Sequence, residues 1–345
     1  KIHMNVEKKV IGQLEKCYSL AVLPYQGKDY LMVAAEKVNQ CRLYDWDGTL
    51  KDVIWDEPGG AMSLVPVPGK EGQFLATHRF YSPNDSASAS IVSVTEETGI
   101  WKVRTLAEMP FVHRFGILKG EDGYYILACT LKSGHQYKDD WSSPGKVYAA
   151  KLPEDVTAYD TGHTLPFEIL KENMLRNHGY FQVENTQVYA LVTCEDGVFA
   201  FYPPCRGETA WKTEQLTKEP ASDAAVAVFA DGEEWMMVLS PFHGDTVYFY
   251  RHTDEGFVKA YTYPEKLEFL HAICVGEYGG QKAFFAGNRK GDRKLLAFVL
   301  DNEGKWQAKC VDQGAGAANV LYYADRKLLA AANRETDEIA LYTME

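Results

Sequence analysis

One phrase recurs along the whole chain: an apolar run, a tight turn carrying Gly or Asp-Gly, a second apolar run, a polar loop and a third apolar run. It reads "CYSLAVLPYQGKDYLMVAAE" from Cys17, "AMSLVPVPGKEGQFLATHRF" from Ala61 and "VHRFGILKGEDGYYILACTL" from Val112. It returns as "NHGYFQVENTQVYALVTCED" from Asn177, "DAAVAVFADGEEWMMVLSPF" from Asp223, "LHAICVGEYGGQKAFFAGNR" from Leu270 and "GAANVLYYADRKLLAAANRE" from Gly316. Successive starts lie 44, 51, 65, 46, 47 and 46 residues apart. Short runs rich in Val, Tyr, Phe, Leu and Ala, punctuated by turn formers, are strands rather than helices. Self-similarity at roughly 40–50 residues is the spacing of four-stranded propeller blades.

The seventh copy holds only three runs, at about 317–323, 327–333 and 338–343, whereas "VEKKVIGQL" precedes the first copy. Residues 6–14 can supply the missing outer strand and share the last blade with 317–345, which leaves no open sheet edge. The expectation is therefore an all-β chain: a single domain over residues 1–345, a seven-bladed β-propeller closed by an N-terminal outer strand in the last blade. Residues 1–5 read as a cloning remnant or a flexible terminus. A six-bladed ring and a two-sheet sandwich fit the regular spacing less well.

An apolar content of 46% with 24% charged residues describes a soluble globular chain with ample core. The formal net charge of -12 disfavours nucleic acid and anionic membranes as partners, because both require a positive surface field. Seven scattered cysteines, odd in number and without a CxxC pair, fit reduced thiols rather than a disulfide framework. A cytoplasmic location is expected, with a secreted or periplasmic one open if a signal peptide has been removed.

In a propeller the start of each innermost strand and the loop joining the second and third strands open on one face, so they line one funnel, the usual kind of ligand site. The strand starts are Tyr18, Met62, His113, His178, Ala224, His271 and Ala317. The loops contribute His78, Arg79 and Tyr81; His135, Tyr137, Lys138, Asp139, Asp140 and Trp141; His243 and Asp245; Asn288, Arg289 and Lys290; and Asn333 and Arg334. Only His3, His163 and His252 fall elsewhere among the histidines. The stretch "CTLKSGHQYKDDWSSPGK", residues 129–146, is the longest of these loops and packs most of its chemistry into a few residues.

Adjacent acids such as Asp139 and Asp140 cannot flank a glycosidic bond from opposite sides, so they read as loop supports rather than a hydrolytic pair. No GxSxG elbow and no P-loop is present. Histidine, tyrosine and arginine together suit β-elimination from a uronic acid: a cation neutralises the carboxylate, a His or Tyr removes the adjacent proton, and another protonates the departing oxygen. Strand alternation puts His178 and Tyr180 on one side of their strand.

The spaced residues His113 in "VHRFG", His135 in "KSGHQYKDD" and Tyr180 in "NHGYF", on seven blades, resemble the seven-bladed propeller polysaccharide lyases, the ulvan lyases and rhamnosyl-glucuronate lyases. The resemblance implies a carbohydrate lyase with His113, His135, and Tyr180 or Tyr137 as catalytic groups. The carboxylate-neutralising arginine has no single match, with Arg79, Arg114, Arg289 and Arg334 in competition. The remaining candidates are substrate-binding: Arg79, Arg289 and Arg334 for acidic groups, Asn288 and Asn333 for hydroxyls, Tyr81 and Trp141 for sugar faces, and His78, Lys138, His178, His243 and His271 beside them.

The expected partner is an acidic oligosaccharide or polysaccharide. No cofactor is demanded, but a divalent metal is open: zinc or manganese on His113, His178, His271 and His243, or calcium at the acidic loop. Propeller-based oligogalacturonate lyases are similar in having a histidine-rich metal site. The alternatives are a noncatalytic glycan- or protein-binding propeller, and a sugar dehydratase, isomerase or glycosidase on the same scaffold.

Overall fold

A computed structural model of the chain describes residues 5–38 and 40–345. Those residues form an all-β fold of seven antiparallel sheets with three short 3-10 turns: a seven-bladed β-propeller. By internal packing the chain divides into two compact units, one spanning Ala21–Pro220 and the other combining the segment through Leu20 with Ala221–Glu345.

Ala21–Pro220 carries blades one to four. Blade one pairs Cys17–Tyr25, whose first residues precede this unit, with Lys28–Ala35, Cys41–Tyr44 and Leu50–Trp55 in order. Blade two is Leu64–Pro66, Gln73–His78, Ser90–Glu97 and Ile100–Glu108. Blade three is Val112–Gly120, Gly123–Thr130, Ser143–Lys151 and Glu168–Met174, and blade four is Gly179–Glu184, Val188–Cys194, Gly197–Tyr202 and Lys212–Thr217.

The other unit carries blades five to seven. Blade five runs Asp223–Val228, Glu234–Leu239, Val247–Thr253 and Gly256–Thr262, and blade six Leu270–Tyr278, Gln281–Asn288, Leu295–Leu300 and Trp306–Asp312. Blade seven takes Asn319–Tyr323, Leu328–Asn333 and Glu338–Met344 from the end of the chain and Val6–Gln13 from its beginning. The expected N-terminal outer strand is thus present. Of the stretch 1–5, Asn5 is not a loose end, because its backbone exchanges hydrogen bonds with Glu345; the rest lies outside the described residues.

Why these runs make blades follows from burial. The second strands are apolar on both faces: Leu328–Asn333 is buried throughout, and Lys28–Ala35 is buried over its last six positions. A strand covered by neighbours on both sides reads as a continuous apolar run rather than an alternating one. The outer strands Lys212–Thr217 and Val6–Gln13 face water and are mostly polar. In one core cluster Leu127, Cys129 and Val147 of blade three meet Ala190, Val192 and Phe201 of blade four. In another, Ala272, Phe285 and Ala297 of blade six meet Leu329, Ala331 and Tyr342 of blade seven. Each fully buried Leu, Phe or Met side chain contributes about 1.5–3 kcal/mol.

The 65-residue step at blade three has two causes. The loop after Thr130 is not structureless: Lys132–Gly134 pairs back onto Ser143 and Pro144 as a short extra strand. The connection after Lys151 then travels to blade two, where Leu165 N–H donates to Leu106 O at 2.8 Å and Asp160 accepts from Thr105 N–H at 3.1 Å.

A partly buried polar knot ties the N-terminal strand to blades six and seven. Tyr342 donates to Asp312 Oδ2 at 2.5 Å and accepts from Asn333 Nδ2 at 3.1 Å, while Lys8 Nζ lies 2.8 Å from the same Asp312 oxygen. Burial works against the ionised Asp312, but the bonds from Lys8 and Tyr342 outweigh it and hold its carboxyl below the usual 3.8. Tyr342→Phe leaves Asp312 and Asn333 short of a partner and should cost about 1–3 kcal/mol in urea unfolding at neutral pH. A depressed carboxyl stabilises above its unfolded pKa and loses that contribution as pH falls through the folded value, so the gap between variant and parent should narrow below about pH 4. A pH-independent gap would refute this account of the knot.

Candidate functional site

A backbone device repeats at the start of the innermost strand in every blade but the fifth. Lys16 (φ 54°), Gly60 (φ 75°), Phe111 (φ 64°), Arg176 (φ 52°), Phe269 (φ 64°) and Gly316 (φ 70°) all adopt the left-handed conformation. For a non-glycine residue this costs about 1–3 kcal/mol, so the surroundings must hold it in place. They do: the loop after the second strand hydrogen-bonds back, with Phe80 N–H to Gly60 O at 3.2 Å, Leu131 N–H to Phe111 O at 3.0 Å and Arg289 N–H to Phe269 O at 2.9 Å. At Gly60 and Gly316 a Cβ would also strike that returning loop. Two residues after each left-handed position stand Tyr18, Met62, His113, His178, His271 and Ala318. The seventh equivalent is therefore Ala318, where spacing pointed to Ala317.

In Ala21–Pro220 two buried imidazoles meet. The rings of His113 and His178 are 4.7 Å apart at 37°, with residue exposures of 3% and 1%, and Phe80 presents its ring edge-on to His113 at 4.9 Å. Ser63 donates its hydroxyl to the His113 carbonyl at 3.1 Å. The imidazole facing His113 is thus His178; His135, expected there, packs instead at 5.4 Å on Phe111. His78 is buried 4.4 Å from Trp55, and burial together with Arg79 lowers it to about 3, so it stays neutral at physiological pH. Arg79 is exposed and Tyr81 half-buried.

The tyrosines expected to exchange protons lie elsewhere. Tyr180 lies over Gly116 of blade three, where any Cβ would collide with its ring, and its hydroxyl donates to Gln182 at 3.0 Å. Burial pushes its pKa well up. It packs between blades because alternation from the buried Gly179 turns it toward the neighbouring sheet. Tyr137 is 68% exposed and Lys138 is exposed at the loop tip.

The long loop of blade three is built around Asp140, which is buried. Its carboxylate accepts the Gln136 and Ser142 N–H groups, each at 3.0 Å. Hydrogen bonds from Ser142, then Gln136, lower it to about 2. Asp139 and Asn84 exchange reciprocal bonds of 2.9 and 2.8 Å, fastening this loop to that of blade two. Lys132 is fully buried, donates to the Asp140 carbonyl at 3.0 Å and sits 4.4 Å above the Trp141 ring, whose ring also lies 5.1 Å from Arg176. Burial lowers the Lys132 ammonium against the pull of Asp140 and Asp139. The acids are loop supports, and the Trp141 ring that was expected to stack on sugars is occupied by cations.

The second unit contains a hydrogen-bonded chain absent from the sequence-derived candidates. His271 Nδ1 is 2.5 Å from the Ala318 carbonyl, and its Nε2 is 3.0 Å from the Tyr18 hydroxyl. A carbonyl can only accept, so Nδ1 carries the proton, neutral Nε2 is the acceptor and Tyr18 donates to it. Asn319 pins the strand by donating to Tyr18 O at 2.7 Å. Tyr18 occupies the same repeat position as the three histidines, and that position was the signal that could have found it.

His243, itself left-handed at φ 53°, is stacked on Phe269 at 4.1 Å and 13° and approaches His271 at 5.6 Å. The guanidinium of Arg289 covers the Phe269 ring at 4.6 Å. Glu335 receives Arg289 Nε at 3.0 Å and Arg334 at 2.8 Å. Burial raises the Glu335 pKa, but the two arginines overcome it and hold the carboxyl low. Each unit thus contains a pair of imidazoles in contact, and these four histidines are the ones weighed as metal ligands. In the neutral pair His271 has both nitrogens engaged, so a metal there would have to displace the Tyr18 proton.

The asparagines expected to read hydroxyls are structural. Asn288 spends its amide on Glu268 O, Lys290 O and Lys294 N–H, at 3.0, 2.8 and 2.8 Å. Asn333 is fully buried and bonded to Tyr342. The Asp140 geometry yields a prediction: Asp140→Ala should open residues 135–142 to limited proteolysis, whereas the parent loop should stay protected at pH 4 and lose protection only toward pH 2, as the depressed carboxyl protonates. Equal cleavage of parent and variant would contradict the role given to Asp140.

No protein-family model and no curated protein matches the chain. Solved structures do. The virginiamycin B lyase of Staphylococcus aureus aligns with a TM-score of 0.64 at 14% identity, covering 99% of both chains. A streptogramin B lyase gives 0.63 at 13%, covering 99% of this chain and 98% of the other. The periplasmic gluconolactonase of Pseudomonas aeruginosa gives 0.60 at 14%, covering 94% and 91%. These neighbours are streptogramin lyase and gluconolactonase-like propellers, not the ulvan or rhamnosyl-glucuronate lyases that the spaced residues resembled. At such identities the likeness establishes the fold, and the chain is a seven-bladed β-propeller.

Proposed function

We propose that the protein is a carbon–oxygen lyase that cleaves uronic-acid-containing poly- or oligosaccharides by β-elimination. The observation that carries the reading is the Tyr18–His271–Ala318 chain, an acid–base pair with its tautomer set by a backbone carbonyl. Elimination needs a base to take the proton beside the carboxylate and an acid to protonate the leaving oxygen. His271 Nε2 takes the proton from the carbon beside the carboxylate as Tyr18 gives its hydroxyl proton to the departing oxygen; passage of the proton from Nε2 back to the Tyr18 oxygen along their hydrogen bond restores the pair, which sits in a buried setting where charge is poorly screened. Arg289 and Arg334 supply positive charge for the acidic groups that such a ligand carries along its length. This assignment replaces His135, Tyr137 and Tyr180 as the proton-transfer groups and keeps His113 and His178 as a second imidazole pair.

The fold is also carried by proteins named as lyases and as gluconolactonases, which supports an enzyme of one of these broad kinds. Lactone hydrolysis is the second reading, since the same pair could activate water. Incubation with a panel of uronate oligosaccharides should generate the ultraviolet absorbance of an unsaturated uronate, while aldonolactones should hydrolyse no faster than the blank. Acid release from lactones without any absorbing product from uronates would replace the first reading with the second. Tyr18→Phe and His271→Ala should each lower kcat by about 10²–10⁴ with an unchanged circular dichroism spectrum; near-parental turnover in both would remove the pair from the mechanism.

A further inference from the structure

Arg289 is held unusually for a group that could simply reach water. Its side chain is only 11% exposed, its Nε is spent on Glu335 at 3.0 Å, and its flat face rests on Phe269 at 4.6 Å. The loop beneath it is rigid: Asn288 is tied into three backbone bonds, and Arg289 N–H is latched to Phe269 O. Among the described residues Glu335 is the hydrogen-bond partner of its side chain, and Glu335 engages only Nε. The two terminal amino groups, the fork that matches a carboxylate or phosphate bidentately, are left for something else. Arg334 bonds the same Glu335 oxygen, and Lys290 also lies over Phe269, at 5.2 Å.

Among the ring contacts, Arg289 reaches the acid–base pair through two intervening rings. Between Arg289 and His271 stand the near-parallel rings of Phe269 and His243, with centroids 4.1 Å apart and His243 a further 5.6 Å from His271. An anion seated on Arg289 is therefore not on the atom that exchanges a proton with His271.

We infer that Arg289 is the anchor of an oxyanion subsite separate from the Tyr18–His271 pair, taking a carboxylate or phosphate carried beyond the reacting ring of the ligand. The position of this subsite relative to the reacting ring rests on the elimination reading; its anion binding does not. The ligand class that follows is an oligomer with an acidic group on a neighbouring residue rather than a single uronate.

The test is calorimetric titration of the full chain with digalacturonate, its methyl ester and inorganic phosphate. His271→Gln is used alongside the parent to silence turnover. In the His271→Gln background, adding Arg289→Gln should weaken diacid binding about 10–100-fold and Arg289→Lys should fall between, as expected when a charged bidentate contact is lost. Competition by phosphate would identify a phosphate as an equally accepted source of the oxyanion; its failure beside diacid binding would assign the subsite to carboxylates. Equal affinity with and without Arg289→Gln, equal binding of diacid and ester, or no binding of either anion would overturn the proposal.

A measurement on unsubstituted protein guards against misfolding of the variant: arginine-directed dicarbonyl labelling, read by peptide mass, should be blocked at Arg289 by the diacid, and labelling unaffected by it would also overturn the proposal. Arg289-dependent binding without turnover of any uronate leaves the anchor standing and removes the lyase reading. Uronate turnover with an unchanged KM in Arg289→Gln does the reverse.

Discussion

The bond from the loop after the second strand back to the left-handed residue before the innermost strand, made in blades two, three and six and from Glu335 to Gly316 in blade seven, is the constraint on which the site depends. It appears as Leu131 to Phe111, Arg289 to Phe269 and Phe80 to Gly60. The left-handed turn is unfavourable by itself, and the latch repays that cost with a backbone hydrogen bond and a covered loop. In doing so it brings two stretches of sequence about twenty residues apart to one end of the blade. Most of the candidate residues of this chain stand on or beside one of those two stretches, where polar groups gather at the ends of the strands.

Burial then decides what those groups can do. His78, wedged against Trp55, is kept neutral and has become part of the packing. His271 occupies an equally buried place but has Ala318 on one nitrogen and Tyr18 on the other, so the same imidazole chemistry becomes a directed proton path. Arg289 and Arg334 tolerate burial because Glu335 compensates them.

Much of the fold was legible because its cause is local. Apolar runs on both faces, Gly and Asp-Gly turns and a regular step specify blades wherever they occur, and a three-run final copy called for an N-terminal partner that is found in Val6–Gln13. The repeat also picked out the two stretches that the backbone latches bring together. It did not say which side chains would be turned inward. Tyr180 followed the alternation of its strand into the wall beside Gly116, and His135 turned to Phe111. Asn288 and Asn333, polar and well placed in the sequence, were consumed by the backbone and by Tyr342.

By itself the sequence determined the number of blades, the strand that completes the last one and the positions at which polar residues could gather, since all of these follow from periodicity and hydropathy along the chain. Only the tertiary structure decided which of those residues form chemistry. Tyr18 and His271 are 253 residues apart in sequence, and their hydrogen bond exists because blade seven places Ala318 against the far nitrogen. The orientation of a single ring nitrogen is set by contacts between blades, and no pattern within one blade encodes it.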